Sequence, residues 1–233
     1  MSTNSFYLNI AAIIFSVSCF VVYYIYFFYR TRWSKDYSVQ INKNVSSVKT
    51  WVKRHLKNHE AASVTLAVQT LRNTQYVAIF VAGYAIKLSY AFIDSIHSSE
   101  FTGYSDVIYL KDVRSLIVSV LLFCSFLNWA AVLRYACEIA YLIDSFTEAS
   151  RLETFDDNED VTNKSSRSYN IADMSVRLTF HFSFGLRFMY ASIPFAFLIV
   201  GPIALIIATV IVIAYQIDHD YGSYTVKNRA PLV

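Results

Sequence analysis

Three arginines stand at the edges of long uncharged stretches: Arg72, Arg134 and Arg187. A cation beside hydrocarbon is stable only when it is paired, hydrated or held against an anion. Glu138 follows Arg134 by four residues and shares its helical face, so it is the expected partner of Arg134 or of Arg72. Gln69 and Asn73 flank Arg72, and Asn128 interrupts another apolar run. The set Gln69, Arg72, Asn73, Arg134, Glu138 and Arg187 therefore reads as a polar layer at the inner boundary of a membrane. Such a layer can anchor headgroups and tie helices together, or it can bind anions at the mouth of a pathway.

A second constellation is basic and amphipathic. Val45, Val48, Trp51, Val52 and Leu56 recur at helical spacing, with Lys49, Lys53, Arg54 and Lys57 on the other side. Lys49, Trp51, Lys53, Arg54 and Lys57 are the expected contacts to anionic lipid if this helix lies in the interface with its apolar face down. A helix packed on the rest of the protein, with a wet basic face, fits the same pattern.

Catalytic chemistry finds no support. His55 and His59 are four apart, as metal ligands can be, but no third ligand accompanies them. His181 reads as a packing residue, and Asp218-His219-Asp220 as a polar helix terminus. Cys19, Cys124 and Cys137 all fall in apolar helical stretches, which argues against a disulfide framework or a zinc site. No phosphate-binding glycine loop, nucleophile elbow or metalloprotease motif occurs. The chain is read as non-enzymatic, with no metal and no cofactor beyond bound lipid.

The elements that must position these residues are membrane helices. Hydrophobic residues make up 55% of the 233 and charged residues 16%, against about 25% charged in a soluble domain. Four blocks are long enough to cross about 30 Å of hydrocarbon. They fall at about 8–29, 73–93, 115–133 and 188–217. Lys87 lies near one end of the second block and can snorkel outward. Residues 61–72 and the stretch after Leu133 through Asp144 continue the second and third helices beyond the membrane. The fourth block holds 30 uncharged residues, about 45 Å as a helix, so a tilt or a kink at Pro194 or Pro202 is expected. The first block has no basic run before it and is longer than the apolar region of a signal peptide, so it reads as a retained span.

Cation placement sets the orientation. Residues 30–60 carry eight Lys or Arg against two acids, a net of +6. Loops 30–60 and 145–187 are accordingly placed on the cytoplasmic side (or, in an organelle, the matrix or stromal side) and both termini on the opposite side. Asn44-Val45-Ser46 and Asn163-Lys164-Ser165 then fall inside, where neither asparagine is glycosylated. The acid-rich stretch Glu153 to Asn163 reads as a solvated loop.

Three segments carry a resemblance: KTWVKRHLKNHEAASVTLAVQTLRNTQYVA, with LAVQTLRN at Leu66 to Asn73; LRYACEIAYLI from Leu133; and FHFSFGLRFMYASIPF, with GLR at Gly185 to Arg187. The chain resembles the domain-of-unknown-function family 599 of bacteria, plants and algae, over about residues 20–220. The resemblance implies a four-span membrane fold and no established activity. It points to Gln69, Arg72, Asn73 and Arg187. Where the family usually has FNRGLR, this chain has FSFGLR.

The expected architecture is an all-α, integral-membrane four-helix bundle with inner helical extensions and an amphipathic interfacial helix. The expected function is that of a non-catalytic accessory or scaffolding subunit, or a homo-oligomer. An oligomeric channel or transporter, with anions as the candidate solute, is the alternative. The partners are membrane lipids and other membrane subunits or copies of the chain; nucleic acid is not among them.

Overall fold

A computed structural model describes residues 3–32, 40–57, 61–97, 106–152 and 161–221, all but a few in helices. The α-helices are α1 (Thr3–Arg32), α2 (Gln40–Lys57), α3 (Ala61–His97), α4 (Asp106–Leu152), α5 (Val161–Ala196) and α6 (Pro202–Tyr221). Five of them are long and apolar enough to cross a membrane; α2 is the exception.

Four spans were expected, and the described residues hold five such helices. The 30-residue apolar block is not one tilted helix. α5 ends at Ala196, a single 3-10 turn covers Phe197–Ile199, and α6 starts at Pro202. Gly201 between them has φ of 148°, a region that a side chain disfavours. Pro202 supplies no amide proton, which costs nothing in the first turn of a helix. Pro194, the other kink candidate, lies buried inside α5.

The inner loop expected at 145–187 is a second correction. Its latter part, from Val161, is the greater part of α5, and its beginning continues α4 to Leu152. Residues 153–160 of the acid-rich stretch lie outside the described residues. The expected loop 30–60 likewise contains α2, with 33–39 and 58–60 outside the described residues. The expected helical extensions, residues 61–72 and the stretch after Leu133, are continuous parts of α3 and α4.

Small residues set the closest pairing. On α3, Ala67, Ala78, Ala82, Ala85 and Ser89 form one buried stripe. Such a stripe lets a partner backbone approach, as membrane helix interfaces require. α4 fills it with Ser119, Trp129, Val132 and Ala136. Ser89 and Ser119 each donate a hydroxyl to the other's carbonyl at 3.0 Å. The opposite face of α3 exposes Tyr76, Phe80, Tyr84 and Tyr90, which suits lipid.

α1 buries Asn9, Ala12, Ser16, Phe20, Tyr23 and Phe27, a three-and-four spacing that gives one continuous seam. α6 buries Leu205, Thr209, Gln216 and Asp220. Thr209 donates to Ser16 at 3.0 Å, and Tyr23 bonds Asp220. Both contacts advance along the two chains together, so α1 and α6 run parallel. Against α5 the order reverses: Phe20 meets Phe195 and Tyr24 meets Arg187. The N-terminal end of α1 and the C-terminal end of α6 therefore lie at opposite ends of the bundle.

α2 packs on the bundle. Val52 is buried with Ala67, Leu71, Ala136, Ile139 and Ile171. Ile41 is buried with Phe27, beside Phe180 and Tyr221. The helix thus reaches from the α1–α6 side to the α3–α4 side, and its apolar face rests on protein.

Candidate functional site

Among the described residues, the buried charges Arg187 and Asp220 gather where α1, α5 and α6 meet. Arg187 comes from the last third of α5, Asp220 from the last turn of α6, and Tyr23 and Phe27 from adjoining turns of α1. Arg187 is 7% exposed and Asp220 3%. The guanidinium donates two hydrogen bonds to the carboxylate, Nη2 to Oδ1 at 2.6 Å and Nη1 to Oδ2 at 2.9 Å. This is the bidentate geometry that makes arginine the strongest partner of a carboxylate. Nη1 also donates to the Tyr23 hydroxyl at 3.2 Å, and Nε to the Ser183 hydroxyl at 3.3 Å. Four of the five N–H donors of the guanidinium are thereby used.

The surroundings complete the neutralisation. The Tyr23 hydroxyl donates to Asp220 Oδ2. The Phe27 ring lies under the guanidinium, 3.7 Å from ring centroid to Cζ, within cation–π range. Tyr24 donates to the Arg187 backbone carbonyl at 3.2 Å. His219, 63% exposed, also approaches, with Nδ1 3.8 Å from Asp220 Oδ1. The arrangement clasps three helices, and its charges are spent on each other.

The expected boundary layer does not converge. Arg134 is 78% exposed and pairs with Glu138 at 2.7 Å, on its own helix. Gln69, Arg72 and Asn73 are exposed on α3. Arg187 is instead enclosed in the bundle, where its partner is Asp220. Asp220 does lie at a helix terminus, as read from sequence, but it is buried and paired with Arg187. Tyr23 and Asp220 were missed. Their signal is faint: Asn9, Ser16 and Tyr23 recur every seventh residue in an otherwise apolar helix.

The lipid-contact set also divides. Lys49 is exposed, whereas Trp51 is half-buried against the cluster around Val52. Trp51 therefore meets protein, and the apolar face of α2 is not laid on lipid. The side chains of Lys53, Arg54 and Lys57 lie outside the described ones, as do those of His55 and His59. Among the described residues no three His, Cys, Asp or Glu side chains gather as metal ligands would.

The glycine of the GLR segment has a packing reason. A Cβ on Gly185 would stand 2.8 Å from Trp129 Nε1. Ser125 donates to the Gly185 carbonyl at 2.8 Å. Gly185 thus sets how closely α4 and α5 approach, and Arg187, two residues on, reaches α6.

The family model described as "Protein of unknown function, DUF599" matches residues 11–224. The chain belongs to DUF599. No curated protein and no solved structure matches it. Within this DUF599 chain, the GLR segment supplies both the Gly185 contact and the Arg187 clasp. The LAVQTLRN segment turns Ala67 and Leu71 inward and its polar residues outward. Ser183, in the FSFGLR segment, accepts a hydrogen bond from Arg187.

Proposed function

We propose that this DUF599 chain is a non-catalytic, multi-pass membrane subunit, a scaffold within an assembly of other subunits or of its own copies. The observation that carries the reading is the state of Arg187. A cation meant for a passing anion needs an accessible, uncompensated charge, whereas this one is buried, neutralised by Asp220 and further bonded to Tyr23 and Ser183. Anion conduction is the weaker reading, because its three arginines sit apart and two of them carry a carboxylate. What remains for function is the outer surface: an apolar belt rich in exposed aromatics and the basic outer side of α2, where Lys49 meets anionic headgroups.

The cationic residues 30–60 keep their place on the cytoplasmic side. With five crossings, α1 then starts outside and α6 ends inside. An epitope placed after α6 is accessible only from the cytoplasmic face; labelling from the outside would reverse this part of the reading. The scaffold itself is tested by native mass measurement of the full chain taken from its own membranes in mild detergent. Recovery in a defined complex is the expected result. A stable monomer with no associated protein refutes it.

A further inference from the structure

The seam between the packed helices α4 and α5, hereafter the groove, carries half-exposed polar groups within apolar stretches. Asn128 and His181 sit near the middle of the apolar stretches 112–143 and 170–199. Both are only half-buried. His181 Nδ1 is 3.0 Å from Asn128 Oδ1. Because that oxygen can only accept, Nδ1 carries the proton, and neutral His181 is left with an accepting lone pair on Nε2. Asn128 Nδ2 donates one proton to the Cys124 carbonyl at 2.9 Å and holds a second. Each chain therefore presents one spare donor and one spare acceptor at the same depth, where lipid offers neither and an unmatched group is costly.

We propose that a second copy of this chain docks on the α4–α5 groove about a two-fold axis along the membrane normal. In this arrangement Asn128 of each copy donates to His181 of the other. A two-fold axis along the normal keeps every residue at its own depth, so the spare donor of one copy meets the spare acceptor of its partner twice over. The inner rim of the groove is complementary in the same way. The antiparallel register that pairs Asn128 with His181 sets Arg134 close to level with Arg177. Glu138 and Asp173 follow one turn further in, bonded to those arginines at 2.7 and 2.9 Å. A layer of arginines next to a layer of carboxylates lets each copy reach the opposite charge of its neighbour. Tyr135, stacked on His181 with centroids 5.5 Å apart, fills the groove between the two levels.

This inference rests on the scaffold reading and names which face assembles. The three native cysteines test it. In full-length chains that keep a single cysteine, a short bis-maleimide applied to native membranes joins two copies through Cys124, one turn from Asn128. It joins none through Cys19 on α1. His181→Leu and Asn128→Leu each raise the apparent dissociation constant of the dimer about tenfold, the loss expected of two interhelical hydrogen bonds. Cross-linking through Cys19 and not Cys124 in an oligomeric chain overturns this interface and leaves the scaffold standing. An unchanged dissociation constant in both leucine variants does the same. A monomer without partners overturns both.

Discussion

Removing the carboxylate of Asp220 leaves the Arg187 guanidinium charged, enclosed and without a counter-ion. The structure sets the size of the effect. Arg187 is 7% exposed, so water cannot replace the two bonds of 2.6 and 2.9 Å to Asp220. Breaking one side of a buried pair costs about 3–5 kcal/mol. For a chain of this size that corresponds to a fall of roughly 10 °C in melting temperature, at about 2–4 °C per kcal/mol. Asp220→Ala should show this loss in a thermal unfolding scan of the detergent-solubilised protein. Tyr23→Phe, which keeps the ion pair and removes one hydroxyl, should lose about 1.5 kcal/mol. The decisive variant is the double replacement Arg187→Met with Asp220→Leu. Once both charges are gone no uncompensated ion remains, and stability should return to within about 1–2 kcal/mol of the parent. If the double variant is as unstable as the sum of the single ones, the clasp is not a coupled pair and the reasoning fails. An Asp220→Ala protein that melts with the parent would refute it as directly.

Gly185→Ala forces a methyl group to within 2.8 Å of Trp129 and should cost about 1–3 kcal/mol in the same scan. Gly83→Ala meets nothing within 4 Å and should gain up to about 1 kcal/mol from helix propensity. Gly201→Ala puts a side chain at φ of 148° and should cost about 1–3 kcal/mol; limited proteolysis at the α5–α6 turn reports the loosened hairpin. Arg134→Ala removes an exposed pair on one helix and should change stability by less than about 0.5 kcal/mol. The contrast with the Asp220 variants is measurable by equilibrium unfolding in denaturing detergent.

The helices that were legible in the sequence are those whose charges are absent. Leu8 to Tyr29 and Ser115 to Leu133 stand out because nothing interrupts them, and they lie inside α1 and α4. α5 was hidden for the opposite reason. Asp173, Arg177, His181 and Arg187 break its hydropathy. The structure neutralises them with partners that a window of residues does not see: Arg177 by Asp173 four residues away, Arg187 by Asp220 on another helix. The Gly201-Pro202 pair did mark a disruption, but only the backbone conformation of Gly201 separates a turn from a kink. The basic amphipathic pattern of residues 45–57 fits a helix on lipid and a helix on protein equally. Packing of Val52 and Ile41 decides that the apolar side meets protein.

Arg187 and the carboxylate that neutralises it stand 33 residues apart, on successive membrane helices. Either helix inserted alone would carry a lone charge among lipids, which is costly, so α5 and α6 gain by entering the bilayer together as one hairpin. A chain cut between the two would strand the cation.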